Sequence, residues 1–142
     1  MPVIKPKMEP AHILLVEDNA GDTLLVQQVL ASSPIPIKLH IARDGKQGLD
    51  MLATADVRPS LIILDLNMPR ISGYTFLQRY EPKEIPVVVF SGSSSDADKR
   101  FALELGASEY VQKPIELEAF TDVFCQIVVN WLEQKETSAA VP

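Results

Sequence analysis

Short apolar runs alternate with longer helical patterns along most of the chain. Five of the runs are strand-sized, and we predict strands at residues 12–17, 37–42, 61–65, 86–90 and 109–112. Several of these runs are apolar almost throughout, which is typical of parallel strands with both faces of the sheet covered. The alternation therefore predicts an α/β domain.

The segments between and after these strands carry the spacing of amphipathic helices. We predict helices at residues 22–31, 46–53, 72–79, 96–105 and 117–133. The last pattern is the clearest, with one apolar stripe formed by Phe120, Val123, Phe124, Ile127, Val128, Trp131 and Leu132. Right-handed crossovers leave few topologies for five such units, and we predict a doubly wound, five-stranded parallel sheet of flavodoxin-like fold with strand order 2-1-3-4-5.

Length and composition indicate one domain. The chain has 142 residues, of which 46% are hydrophobic and 23% charged. We predict a domain at residues 11–134, a flexible proline-rich segment at 1–10 and a flexible tail at 135–142, with no output domain. No apolar run approaches the roughly 18 residues of a membrane span, and the start lacks the apolar core of a secretory signal. We therefore expect no membrane association and a cytoplasmic location.

The net charge and the single cysteine argue against two further classes of function. The formal net charge of −6 has no local cluster of lysine and arginine to offset it, which argues against direct nucleic-acid binding. The single cysteine, Cys125, lies in the last helical pattern among apolar residues. We expect it to be a small buried side chain without chemistry.

Polar residues follow the predicted strands at the edge of the sheet where ligands bind in open α/β folds. Glu17 and Asp18 end the first strand, and Asp65 ends the third. Ser91 follows the fourth strand and Lys113 follows the fifth. Each has an ordinary alternative role as a helix cap, a turn residue or a solvated charge. Their coincidence at the same end of four strands favours a joint site.

The residue types at these positions indicate phosphoryl chemistry. Three carboxylates in one crevice repel each other unless a cation compensates, and a set of hard oxygen ligands points to Mg²⁺. Such an ion keeps room for a phosphoryl group, which Asp65 as nucleophile would take up as an acyl phosphate. Mg²⁺, Lys113 and Ser91 could then each meet one phosphoryl oxygen.

Three stretches of the chain resemble the receiver domains of bacterial two-component response regulators. They are ILLVEDN at residues 13–19, LIILDLNMP at 61–69 and LGASEYVQKP at 105–114. The resemblance extends from His12 to about Leu132 and implies the receiver fold. The first segment and the apolar carboxyl end look most similar to small single-domain regulators paired with phytochrome-type sensor kinases.

The resemblance also implies a role for each site residue. Glu17 and Asp18 would bind Mg²⁺ together with Asp65 and the backbone carbonyl of Asn67. Asp65 would be the phosphoacceptor, and Lys113 would contact the phosphoryl group. The expected chemistry is self-catalysed phosphoryl transfer and autodephosphorylation, without turnover of another substrate.

A conformational switch and partners follow from the same resemblance. Ser91 would bond a new phosphate oxygen while Tyr110, on the last strand, turns inward behind it. The added charge would alter the face made by the fourth helix, fifth strand and fifth helix, which partners would recognise. The donor would be a sensor histidine kinase or a histidine phosphotransfer protein. A homodimer through the last helix is a further hypothesis, prompted by Phe124 and Trp131.

Two site residues depart from the residues that are most frequent in this family. Glu17 replaces the more frequent aspartate, and Ser91 stands where threonine is also common.

A phosphatase of the haloacid dehalogenase type would need a second aspartate at position 67, which is Asn67. A nucleotide binder would need a glycine-rich turn after the first strand, where residues 17–19 are Glu-Asp-Asn. A docking module that never receives phosphate stays open as an alternative.

Overall fold

The computed structural model describes residues 9–54, 58–68, 71–81 and 83–140. Five strands and five helices alternate within these ranges. The strands are β1 (Ala11–Val16), β2 (Ile37–Ala42), β3 (Leu61–Leu64), β4 (Val87–Ser91) and β5 (Glu109–Gln112). The helices are α1 (Ala20–Ala31), α2 (Gly45–Thr54), α3 (Gly73–Arg79), α4 (Asp96–Glu104) and α5 (Leu117–Ala140).

All strand pairs in the sheet are parallel, and the strand order is β2-β1-β3-β4-β5. The predicted fold and strand order are therefore confirmed. Strand β1 lies between β2 and β3, with Val16 opposite both Ala42 and Leu64. This register brings the carboxyl ends of the three strands to the same edge, so that residues following them become neighbours.

Alternate strand residues bury two apolar layers, one on each face of the sheet. One layer packs against α2, α3 and α4 and includes Leu14, Val16, Ile62, Leu64, Val87, Val89, Phe76, Leu77 and Ala102. The other packs against α1 and α5 and includes Ile13, Leu15, Leu61, Ile63, Val88, Phe90, Val26, Phe120, Phe124 and Ile127. Both faces are covered, which explains why β3 and β4 are buried along their whole length.

Helix α5 confirms the predicted stripe but differs from the prediction at its end. Phe124 is fully buried, and Trp131 is half-buried with its indole N–H donated to a carboxylate oxygen of Glu109 at 2.9 Å. The helix continues past the predicted end at residue 133 to Ala140, and the flexibility of residues 135–140 stays a prediction. Glutamate, lysine and alanine in this stretch are strong helix formers, which sustain a helix without an apolar stripe. Residues 1–8 and 141–142, also predicted to be flexible, lie outside the described residues.

Two further expectations about α5 change with the structure. Cys125 is exposed, and its expected burial is wrong, because it lies off the apolar stripe. Phe124 and Trp131 face the sheet layer, so the apolar area that prompted the homodimer hypothesis is used inside the monomer. Among the described residues, no helix combines the length and apolar character needed to cross a membrane.

Candidate functional site

The carboxylates of Glu17, Asp18 and Asp65 converge at the carboxyl edge of the sheet. One oxygen of each side chain lies within 4.8 Å of the others. The strand ladder causes this convergence, because the Asp65 amide donates to the Val16 carbonyl at 3.0 Å and the Glu17 amide donates to the Ala42 carbonyl at 2.9 Å. The predicted acidic cluster is therefore present.

The three carboxylates differ in their exposure to water. Glu17 and Asp65 are buried, at 3% and 7% exposure, whereas Asp18 is exposed. Burial raises the pKa of Glu17 from 4.5 to about 7, and the negative charge of Asp65 adds to this effect although Lys113 opposes it. Two buried acids beside an exposed one form a set of hard oxygen ligands that fits a divalent cation such as Mg²⁺ or Mn²⁺.

Lys113 supplies the positive charge of the site. Its ammonium donates to a Glu17 carboxylate oxygen and to the Asp22 carboxylate at 3.0 Å, and it lies 3.6 Å from Asp65. The position is set by the end of the sheet, where the Lys113 amide donates to the Ser91 carbonyl at 2.7 Å. Burial disfavours the ammonium, but the hydrogen bond and the charge of Glu17 outweigh it, so the pKa of Lys113 is raised. Lys113 therefore stays charged at neutral pH.

Ser91 is the last residue of β4 and is fully buried. Its hydroxyl has no hydrogen-bond partner among the described residues. Buried hydroxyls are nearly always bonded, and an unpaired one commonly marks a functional position. Ser91 thus lies next to Lys113 in the ladder with a hydroxyl available for another acceptor.

The loop after β3 shapes the surroundings of Asp65. The backbone amide of Asn67 donates to an Asp65 carboxylate oxygen at 3.4 Å. This contact involves the amide of Asn67, so the ligand role of its carbonyl stays a prediction. Helix α3 begins directly against this loop, because a Cβ on Gly73 would lie 2.6 Å from both the Asp65 carbonyl oxygen and the Leu66 Cα.

Tyr110 lies behind the loop that leaves β4. Its hydroxyl donates to the Ser93 carbonyl at 2.7 Å, and its half-buried ring packs against the layer under α4. The Ser93 hydroxyl donates to Asp98 at 2.6 Å, and Asp98 also accepts from the Tyr74 hydroxyl at 2.6 Å. The predicted switch residue is therefore bonded to the segment that follows Ser91.

Two contacts at the site were not visible in the sequence. Asp22 reads there as an ordinary acid in the first turn of a helix, yet it bonds a lysine 91 positions away. Asp98 has the same appearance in α4 but joins Tyr74 of α3 to Ser93. Local patterns gave no signal for either, because both depend on elements that meet only in the folded chain.

Most of this chain matches a known protein family. The model of the response regulator receiver domain family matches residues 13–124. The response regulator Rcp1 of Synechocystis sp. is 37% identical over 140 residues, which cover 92% of this chain and 95% of Rcp1.

Solved structures agree with this match. The crystal structure of the Mn²⁺-bound form of Rcp1 superposes with a TM-score of 0.80 at 38% identity, covering 87% of this chain and 96% of that one. The phosphorylated cyanobacterial phytochrome response regulator RcpA superposes with a TM-score of 0.83 at 33% identity, covering 89% and 96%. The Mn²⁺-bound relative and the acidic cluster together indicate a divalent metal site.

Proposed function

This chain belongs to the response regulator receiver domain family, and we propose that it accepts a phosphoryl group on Asp65. The donor is the phosphohistidine of a sensor histidine kinase or of a histidine phosphotransfer protein. The observation that carries the proposal is the convergence of Glu17, Asp18 and Asp65 with Lys113 bonded among them.

The reaction is a phosphoryl transfer between two protein side chains. A carboxylate oxygen of Asp65 forms a bond to phosphorus while the bond from phosphorus to the donor nitrogen breaks. The donor imidazole keeps the electron pair and takes up a proton, and Asp65 becomes an acyl phosphate. Because little covalent chemistry remains for the protein, its work is to position Asp65 and to neutralise charge.

Five side chains and one backbone carbonyl position the phosphoryl group and neutralise its charge. Glu17, Asp18, Asp65 and the carbonyl of Asn67 would hold Mg²⁺. The bound ion would neutralise negative charge on the phosphoryl oxygens. Lys113 donates to one phosphoryl oxygen, and Ser91 supplies the unpaired hydroxyl for another.

The phosphorylated state is proposed to act through the α4-β5-α5 face. When the hydroxyl of Ser91 bonds the phosphoryl group, the segment that begins at Gly92 shifts, and the bond from Tyr110 to Ser93 breaks or moves with it. The ring of Tyr110, which already packs against the layer under α4, follows this movement. The change at one charged site thereby reaches a surface that a partner can recognise.

The likeness to RcpA, whose name describes a cyanobacterial phytochrome response regulator, favours a phytochrome-type kinase as the donor. Phosphotransfer from such a kinase should exceed transfer from an unrelated histidine kinase at equal concentrations. Equal rates from both donors would contradict this assignment without affecting the role of Asp65.

A small-molecule donor tests the phosphoacceptor without any partner. Acetyl phosphate with Mg²⁺ should give a base-labile mass increase in the wild-type chain, no increase in Asp65→Asn and a reduced rate in Lys113→Ala. The matched control is Asp50→Asn, an exposed acid of α2 paired with Lys46, which should behave as wild type. A wild-type chain that stays unmodified would favour the docking alternative instead.

A further inference from the structure

Asp22 holds the site lysine more closely than the phosphoacceptor does. Its carboxylate lies 3.0 Å from the Lys113 ammonium, whereas Asp65 lies 3.6 Å from the same nitrogen. The Lys113 side chain is only 12% exposed, so water competes weakly for its N–H groups. Asp22 is thus a fourth acid of the site, contributed by α1.

The local structure of α1 brings Asp22 to this position. Asn19 caps the helix, and its side-chain oxygen accepts from the Asp22 amide at 2.9 Å. The carboxylate of an acid in the first turn usually interacts with the helix N-terminus alone. Here it turns across the edge of the sheet to an ammonium on the segment after β5.

We propose that Asp22 is a positioning residue that competes with the phosphoryl group for Lys113. The inference rests on the proposed function of Asp65. An ammonium has three N–H donors, and here Glu17 and Asp22 take one each. The third N–H is left for a phosphoryl group on Asp65, whose carboxylate lies 3.6 Å away, so the ammonium must approach that group against the attraction of the Asp22 carboxylate at 3.0 Å.

Asp22 is the competitor that persists when the site is loaded. The Glu17 carboxylate would be engaged by the divalent cation, which leaves Asp22 as the acid still holding the lysine. The negative charge of Asp22 also opposes an incoming anion directly. Both effects have the same sign, so Asp22 lowers the affinity of the site for phosphoryl groups.

The isosteric change Asp22→Asn tests the competition. It keeps an oxygen that can accept from Lys113 but removes the charge that draws the ammonium away. The affinity for beryllofluoride with Mg²⁺, measured by ¹⁹F NMR titration, should rise about three- to tenfold. The apparent KM for acetyl phosphate should fall by a similar factor. Damage to the fold would lower the affinity rather than raise it.

Three matched variants separate competition from helix stability. Asp96→Asn removes a first-turn acid from α4 and should leave both values unchanged. Asp22→Glu restores the charge and should restore the wild-type values. In a Lys113→Ala background, Asp22→Asn should raise the affinity by no more than about twofold, because only the direct repulsion is relieved and there is no ammonium to release.

The outcomes are decisive for different claims. If the wild type can be phosphorylated and Asp22→Asn binds beryllofluoride no more tightly than the wild type, the competition is overturned. Asp22→Ser also lacks the charge, and its beryllofluoride affinity provides a second, independent test. A wild-type chain that is never phosphorylated would instead overturn the function of Asp65.

Discussion

The hydroxyl of Ser91 is buried without a hydrogen-bond partner among the described residues. Such a group costs the unmodified fold about 1–3 kcal/mol relative to a bonded one. This free-energy cost has an explanation if a phosphoryl oxygen accepts the missing hydrogen bond in the phosphorylated protein. At the residue scale, a destabilising group of the unmodified protein would become a contact of the phosphorylated protein.

Ser91→Ala should therefore separate stability from function. Without the unpaired hydroxyl, the free energy of unfolding in urea should stay equal or rise by up to about 1 kcal/mol. The affinity for beryllofluoride should fall. The control is Ser108→Ala, which removes an oxygen that accepts from the Val87 amide and should lower stability by about 0.5–1 kcal/mol. Destabilisation by Ser91→Ala would mean that the hydroxyl has a structural partner.

Glu17 predicts an unusual pH dependence of the metal-free protein. Its pKa is raised by burial from 4.5 to about 7, so the folded chain holds this proton more tightly than the unfolded chain. The stabilising contribution is complete below pH 4.5 and is lost as the pH rises through 7. When the pH is raised from 4.5 to 8 in EDTA, the free energy of unfolding should fall further in wild type than in Glu17→Gln. The expected difference is on the order of 1–3 kcal/mol.

Mg²⁺ should reverse this loss of stability at pH 8. The cation binds the ionised carboxylate of Glu17 and so stabilises the folded chain in its deprotonated form. Glu17→Gln, which cannot ionise, should lack this pH-dependent rescue. Identical pH slopes for the two chains in EDTA would show that Glu17 titrates at its ordinary pKa.

At the scale of the elements, helix α3 is positioned by close contact with the loop that carries Asp65. Ser72 caps the helix by accepting from the Thr75 amide at 3.3 Å. Gly73 then approaches the Asp65 carbonyl so closely that no side chain fits between them. The start of α3 and the geometry of Asp65 are therefore coupled.

Gly73→Ala should lower both stability and phosphorylation. The new Cβ would lie 2.6 Å from backbone atoms of Asp65 and Leu66, which must shift at a cost of about 1–3 kcal/mol. Urea denaturation and the rate of labelling by acetyl phosphate measure the two effects. Gly92→Ala is the matched control for stability, since a Cβ there meets nothing within 4 Å. Wild-type stability in Gly73→Ala would contradict the close contact.

Periodicity predicted the elements well where apolar burial determines them. The stripe of α5 was recognised because Phe120, Phe124 and Ile127 all pack on the sheet. The same stripe excludes Cys125, whose exposure follows from its place on the helix rather than from its apolar neighbours in sequence. Residues 134–140 carry no apolar stripe in the sequence that would predict the continuation of α5 to Ala140.

Site residues were predictable where strands end and hidden where side chains meet across elements. Glu17, Asp65 and Ser91 follow or end strands, so topology alone placed them together. The bond from Asp22 to Lys113 depends on the path of a side chain between α1 and the segment after β5. No spacing in the chain encodes that contact.

At the scale of the whole molecule, a chain of hydrogen bonds links two helices, one strand and the loop after Ser91 near the proposed switch. Asp98 of α4 accepts from Tyr74 of α3 and from Ser93, whose carbonyl accepts from Tyr110 of β5. The Ser93 hydroxyl thus holds the loop after Ser91 against α4, while Tyr74 and Tyr110 connect the same two residues to α3 and β5. Movement of that loop on phosphorylation would have to rearrange these bonds together.

Self-association is a property of the whole molecule that stays a prediction. Phe124 is buried and Trp131 is half-buried against the sheet, which removes the reason given for a dimer through α5, while Leu117 and Val129 are exposed on that helix. Sedimentation velocity with and without beryllofluoride measures it. A single monomeric species in both conditions would exclude the dimer.

The location of the phosphoryl group tests the central claim most directly. After incubation with acetyl phosphate, borohydride reduction converts an acyl phosphate into an alcohol that tandem mass spectrometry assigns to one residue. If Asp65 is the phosphoacceptor, reduction should occur at Asp65 in Mg²⁺ and not in EDTA. Reduction at any other carboxylate, or labelling of Asp65 that is equally fast without a divalent cation, would contradict it.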